Sequence, residues 1–208
     1  MSVRKYVRAH ALEHRFPGGD ALFRDLSFEL RTGGVTALCD STAGGRSTLL
    51  SILAGWEAPT AGRVETTGIG RTGCVFRRPR GIPGRSALDH VAHPLLARGR
   101  RRPEAREIAL GTMAVFGLAE LAGQAFGELS AGECQRLMMA RAVCSAPDLL
   151  LVDEPSAELD RRTADAVQRA LDELAEGTVV VVATGDPRTR AACATVVTLS
   201  GTAVRDTS

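Results

Sequence analysis

Leu149–Pro155 reads L-L-L-V-D-E-P, and the fold follows from what has to surround it. Four large apolar residues in a row, with no polar alternation, suit a strand buried on both faces, as in a parallel sheet covered by helices. Asp153 and Glu154 follow at once, so two carboxylates stand at the carboxyl end of that strand. Such a pair can hold a divalent cation through one member and polarise a water with the other. It fits a solvated acidic strand end equally well. Val35–Cys39 and Thr178–Ala183 are apolar runs of the same kind. Between Leu149 and Ala183, residues Ala164, Val167, Ala170, Leu171 and Leu174 recur at helical spacing. Strand and helix alternate, which defines an α/β class with a parallel core.

Further out, Tyr6–Phe16 and Ser27–Leu30 alternate as strands do, and Gly73–Phe76 is a third candidate. Pro79, Gly81, Pro83 and Gly84 punctuate a loop. Residues 86–143 carry helical periodicity, broken near Gly99–Pro103 and near Gly123–Leu129. The expected organisation is one domain, 1–208, with a core of 1–85 and 146–208 and a helical insertion at 86–145. The 208 residues suffice for one well-formed core, and 44% hydrophobic with 24% charged residues is an ordinary composition for it. A net charge of +2 gives no reason to expect a nucleic-acid partner. The five cysteines are odd in number and form no CxxC pair, so neither a disulfide framework nor a zinc site is expected, and a reducing cytosol fits. No apolar run approaches the roughly 18 residues that cross a bilayer, and the first residues lack a signal-peptide core. Any membrane role must come through a partner. Arg98, Arg100, Arg101 and Arg102 could face an acidic partner or a lipid surface, but read best as a solvated face at a helix junction.

Asp40–Thr48, D-S-T-A-G-G-R-S-T, lies between the apolar run ending at Cys39 and a predicted helix over Ser47–Ala54 that stops at Gly55. Strand, small-residue loop and helix is the layout of a phosphate-binding loop, in which backbone N–H groups and a helix N-terminus face the anion. Against G-x-x-x-x-G-K-[ST], Gly45, Ser47 and Thr48 match, Asp40 replaces the first glycine and Arg46 replaces the lysine. Alone, the stretch reads equally as a glycine-rich turn entering a helix capped by Ser47. Leu129–Arg136, L-S-A-G-E-C-Q-R, also has two readings. Ser130 and Glu133 have the spacing of a capping box, and a capped helix N-terminus is also what an anion site requires.

Together, these stretches resemble the ATP-binding cassette (ABC) family over nearly the whole chain. Leu129, Ser130, Ala131, Gly132 and Glu133 resemble its L-S-G-G-Q signature, and they stand just ahead of a Walker B strand, Leu149–Asp153. The stretch D-H-V-A-H-P-L-L-A-R-G, Asp89–Gly99, is similar to cassettes of lipoprotein release and macrolide export. The resemblance implies a P-loop NTPase (RecA-like) core, an antiparallel N-terminal β-subdomain and an inserted α-helical subdomain. It implies ATP and Mg²⁺ as ligands, held by Asp40, Ser41, Thr42, Ala43, Gly44, Gly45, Arg46, Ser47 and Thr48, with Phe16 stacked on the adenine. Ser47 and Asp153 would hold the Mg²⁺, Glu154 would be the general base, and Asp160 would belong to the D-loop, Ser156–Asp160. As partners it implies a second cassette, because two subunits share each ATP, and transmembrane permease subunits that hold the chain at the cytoplasmic face of the membrane. The helical insertion would grip a cytoplasmic permease helix near Arg77–Gly84.

Three family residues have no counterpart. Lys5 is the only lysine, so Arg46 stands in the loop; the first glutamine is Gln124, so Arg77 stands at the Q-loop position; the last histidine is His93, so Gly185 stands at the H-loop position. A planar guanidinium does not reproduce an ammonium. Losses of about 3–6 kcal/mol in hydrogen bonds to charge and in loop conformation would weaken ATP binding on the order of a hundred- to ten-thousand-fold. Three readings follow: a degenerate cassette that completes a partner's ATP site with its signature, an active homodimeric ATPase that tolerates Arg46, or a non-catalytic adaptor on the permease.

Overall fold

The structure is a computed structural model and describes residues 4–40, 43–155, 159–199 and 205–206. Strands β1 (Tyr6–Arg15) and β2 (Ala21–Arg31) pair antiparallel. On β1, Val7 and Ala9 are buried, then Leu12 and His14, so the buried parity changes partway along. The register shifts between Ala9 and Leu12, and Ala11 has φ 45°. The bulge adds one residue and returns the apolar side chains to the core face. A third strand, β4 (Ala61–Thr67), pairs with the other edge of β1, giving the order β2-β1-β4. Gly62, with φ 82°, faces the bulge, and a Cβ there would lie 2.4 Å from the carbonyl oxygen of Ala11. Only glycine fits.

The central sheet contains β3 (Val35–Cys39), β5 (Thr72–Val75), β6 (Leu149–Asp153), β7 (Val179–Ala183), β8 (Thr195–Thr198) and β9 (Arg205–Asp206), in the order β5-β6-β7-β3-β8-β9. The pairs β6/β7, β3/β7 and β3/β8 are parallel, and β9 is antiparallel to β8. All five residues of β3 and of β7 are buried, as the apolar run of β7 and the near-apolar run of β3, with Thr36 its one polar residue, require. Helix α1 (Ala43–Leu53) follows β3. Leu49 and Ile52 of α1 pack with Leu12 and Leu30 of the antiparallel sheet and with Leu151 and Val181 of the central sheet in one core. Lys5, at the entrance to β1, pairs with Asp148 at 2.7 Å and donates to the Gly177 carbonyl at 2.9 Å.

The chain divides into two compact units. One consists of Met1–Cys74, Asp148–Glu154 and Leu171–Ser208. The other, Val75–Pro147 with Pro155–Ala170, holds α2 (Ala87–Ala97), α3 (Arg102–Val115) and α4 (Ala131–Cys144). Ala105 and Ala109 are fully buried one turn apart on α3, which lets that helix lie close to its neighbours. Leu88 and Val91 of α2 and Leu137 and Met139 of α4 are buried in the same unit. Arg136 holds the end of α3, donating to the carbonyls of Phe116 at 3.0 Å and Gly117 at 3.2 Å. A fifth helix, α5 (Arg161–Ala175), precedes β7, and α6 (Pro187–Ala192) follows it.

Two sequence expectations are corrected. The first helix begins at Ala43, four residues before Ser47, so Ser47 is inside it and does not cap it. It ends at Leu53, with Gly55 at φ 74° taking the left-handed position that stops it. The second strand starts at Ala21, not Ser27, because Asp25 at φ 47° bulges it and interrupts the alternation. The core pairs β6/β7, β7/β3 and β3/β8 are parallel as expected, and β9 runs antiparallel to β8.

Candidate nucleotide site

Three chain segments of the first unit converge on two carboxylates. Ser47, in the first turns of α1, donates from Oγ to Asp153 Oδ2 at 2.8 Å. Arg46 extends beside it, only 5% exposed. Its Nη1 donates to the Asp40 carbonyl at 2.7 Å and its Nη2 to Glu154 Oε1 at 2.8 Å. Arg46 Nε has no hydrogen-bond partner among the described residues.

Glu154 sits just past β6 with φ 53°, a left-handed conformation that is unfavourable for a side chain of this size. Its own N–H donates to the Ala183 carbonyl at 2.8 Å, fixing the turn. Oε1 also accepts from the Gly185 N–H at 3.0 Å, and Oε2 lies 3.3 Å from the Thr184 hydroxyl, which donates to it. The carboxylate therefore meets a guanidinium, a backbone amide and a hydroxyl. Gly185 provides the room: a Cβ there would stand 3.1 Å from Arg46 Nη2 and 3.6 Å from Glu154 Oε1. A cavity of about 320 Å³ opens beside this cluster, lined by Cys39, Asp40, Thr184, Gly185, Asp186 and Arg190. Burial pushes the Cys39 thiol up, so it is not a nucleophile at neutral pH.

The structure brings Asp40, Arg46, Ser47, Asp153, Glu154 and Gly185 together. Gly45 and Thr48 are buried parts of α1, whose first two residues are Ala43 and Gly44; Ser41, Thr42 and Ser156 lie outside the described residues. Phe16 is 49% exposed and packs edge-on against His14, with ring centroids 5.2 Å apart, which leaves a ring face open to stacking. Thr184 has no motif of its own in the sequence; it was legible only as the residue between a buried strand and Gly185. Among the described residues no three His, Cys, Asp or Glu side chains form a metal cluster. The Ser47 hydroxyl and the Asp153 carboxylate are nevertheless the hard oxygen donors that Mg²⁺ takes alongside phosphates and water.

In the second unit, Ser130 caps α4, with Leu129 before it and Ala131 and Gly132 in the first turn. The Glu133 N–H donates to Ser130 Oγ at 3.4 Å, and Glu133 Oε2 accepts from the Ser130 N–H at 2.8 Å and from Oγ at 2.7 Å. These bonds from Ser130, the hydroxyl's first, hold the Glu133 carboxyl below its ordinary pKa. Asp160 accepts from the Thr163 N–H at 3.1 Å and hydroxyl at 2.7 Å and so steadies the start of α5. Arg77 is exposed. A second cavity of about 320 Å³ is lined by Arg80, Ile82, Arg85, His90, His93 and Arg141. Among the described residues, none of these three arginines pairs with a carboxylate. His90 fastens its rim as a neutral ring: Nε2 accepts from the Ile82 N–H at 3.0 Å, so Nδ1 carries the proton given to the Ser86 carbonyl at 2.8 Å. Burial lowers the His90 pKa, which keeps it neutral.

A loop-and-strand site of this kind on an α/β sheet defines a nucleotide-binding class of protein, and comparison with known proteins narrows it. The ABC transporter family pattern matches residues 23–157. The macrolide export ATP-binding/permease protein MacB of Rhodopseudomonas palustris is 32% identical over 95% of this chain and 33% of its own length. The lipoprotein-releasing system ATP-binding protein LolD of Bordetella avium is 32% identical over 89% of this chain and 90% of its own. The taurine import ATP-binding protein TauB of Pseudomonas aeruginosa is 40% identical over 74% of this chain and 61% of its own. Among solved structures, a dimeric ATP-binding cassette in a post-hydrolysis state bound to ADP and Pi matches with TM-score 0.82 and 25% identity, covering 93% of this chain and 94% of that one. The chain belongs to the ATP-binding cassettes of the ABC transporter family. It spans about a third of the macrolide-export relative. Among the described residues no helix is long and apolar enough to cross a membrane.

Proposed function

We propose that this chain is the ATP-binding subunit of a membrane transport complex whose own site is catalytically weak, and that it completes the ATP site of a second, intact cassette. The observation that carries this reading is the engagement of Glu154. A general base needs a free lone pair aimed at a water, and here the carboxylate is neutralised by Arg46 at 2.8 Å and held by Gly185 and Thr184. The loop cation that would bind a γ-phosphate is the same guanidinium. The signature keeps a capped helix N-terminus with Ser130 at its tip, where a partner's phosphates would meet a favourable dipole and would displace Glu133 from the Ser130 N–H and hydroxyl.

ATP is the substrate in this reading, and Ser47 with Asp153 would hold the Mg²⁺ that screens phosphate charge. The helical unit would receive a cytoplasmic segment of the permease, keeping the chain at the cytoplasmic face of the membrane. Co-purification with the neighbouring cassette and permease, followed by ATPase assays, tests it. The isolated chain is expected to turn over no ATP, while the assembled complex does so and loses on the order of a hundredfold in rate on Ser130→Ala. Robust turnover by the isolated chain that Glu154→Gln abolishes would refute the proposal. The Ser47–Asp153 hydrogen bond favours a second reading, an active homodimer, because that part of a metal site is intact.

A further inference from the structure

We infer that Arg46 and Gly185 are a matched pair, in which the arginine occupies the volume of a side chain at position 185 and that glycine is the positioning residue that seats it on Glu154. The inference deepens the proposed weak site and rests on it. The two substitutions are far apart in sequence, but the guanidinium passes so close to Gly185 that even a methyl group there would press on Nη2 at 3.1 Å. A histidine ring would have to displace the guanidinium outright. Gly185 also supplies its N–H to the same Glu154 oxygen that Arg46 reaches. One residue therefore contributes twice, by an absent side chain and by a present amide.

The physical cost explains why the two go together. An arginine needs an anion when it is this deeply buried, and among the described residues Glu154 and the Asp40 carbonyl supply its hydrogen bonds. With a side chain at 185, the guanidinium would be pushed off Glu154, leaving both charges poorly solvated. With a lysine at 46, Gly185 would leave a void. The site is thus self-consistent as Arg/Gly, and by the same reasoning as Lys/His, but not as Arg/His. It carries its own cation on the carboxylate, and a triphosphate has to compete with Glu154 for that cation.

A double-mutant cycle on the full chain tests this, read by thermal unfolding without any nucleotide. Gly185→Ala is expected to lower Tm by about 2–4 °C in the parent and to leave it unchanged in an Arg46→Ala background, where the space is vacant. Equal shifts in both backgrounds would overturn the pairing. The second arm is binding of a fluorescent ATP analogue with Mg²⁺. Arg46→Lys with Gly185→His together should bind about tenfold more tightly than Gly185→His alone; equal affinity of the two would also overturn it. Neither arm depends on the partner cassette, so the pairing can fail while the Ser130 experiment succeeds, and the reverse.

Discussion

An arginine that is 5% exposed requires an anion, and the one it has found is Glu154, the proposed general base. Removing one member of a buried ion pair costs far more than the pair contributes, because the survivor keeps its desolvation penalty. Arg46→Ala should therefore destabilise the chain by about 3 kcal/mol, measured by urea unfolding. Arg46→Ala with Glu154→Gln should recover part of that loss, since no charge is left stranded; a double variant less stable than Arg46→Ala would contradict it. Asp153 and Glu154 could be picked out of the sequence because they end an apolar run. Ser47 was joined to Asp153 only through the family resemblance, and the pairing of Arg46 with Glu154 was not read at all. Ser47 is 106 residues from Asp153 and Arg46 is 108 from Glu154, and no local spacing rule reaches that far. The sequence singled out Arg46 and Gly185 separately, with nothing in either stretch to say that they lie side by side.

For whole elements, the decisive quantity was how much of each was buried. Strands β3, β6 and β7 could be read directly because burial on both faces leaves them almost entirely apolar, Thr36 and the terminal Asp153 excepted. Strand β4 was not, since A-G-R-V-E-T-T buries nothing fully and only Val64 partly; its existence depends on hydrogen bonds to β1, not on its own pattern. β8 is four residues long and escaped for lack of length. Helix α4 carries its Ser130 cap at the end where the proposed anion site lies. Ser130→Ala should cost about 1 kcal/mol of stability through the lost cap, in addition to its effect on ATP turnover. The pH dependence follows from Glu133, whose folded pKa is lowered, first by the Ser130 hydroxyl. A lowered carboxyl pKa adds stability above the unfolded value and loses it as pH falls through the folded one. The stability gap between the parent and Glu133→Gln, followed by thermal unfolding, is thus expected to close below about pH 4.

Across the whole molecule, charge is distributed unevenly between the two units' sites. The first unit's cation is spent internally on Glu154, whereas the helical unit's cavity presents Arg80, Arg85 and Arg141 with no carboxylate among the described residues to meet them. If a permease segment docks there, it should bring acidic side chains. Replacing the three arginines by alanine should weaken co-purification with the permease, and raising salt from about 0.05 to 0.5 M should do the same to the parent. Pull-down yields indifferent to both would exclude that surface.

The lone lysine has a practical consequence. Lys5 joins the start of β1 to Asp148 and Gly177, and it carries the chain's only side-chain primary amine. Acylating reagents thus have one side-chain target per molecule, and modifying it removes the tie between the start of β1 and the residues leading into β6 and β7. A dye attached there would report on that joint alone, and lysine-directed cross-linkers would tether the chain to its neighbours from a single point.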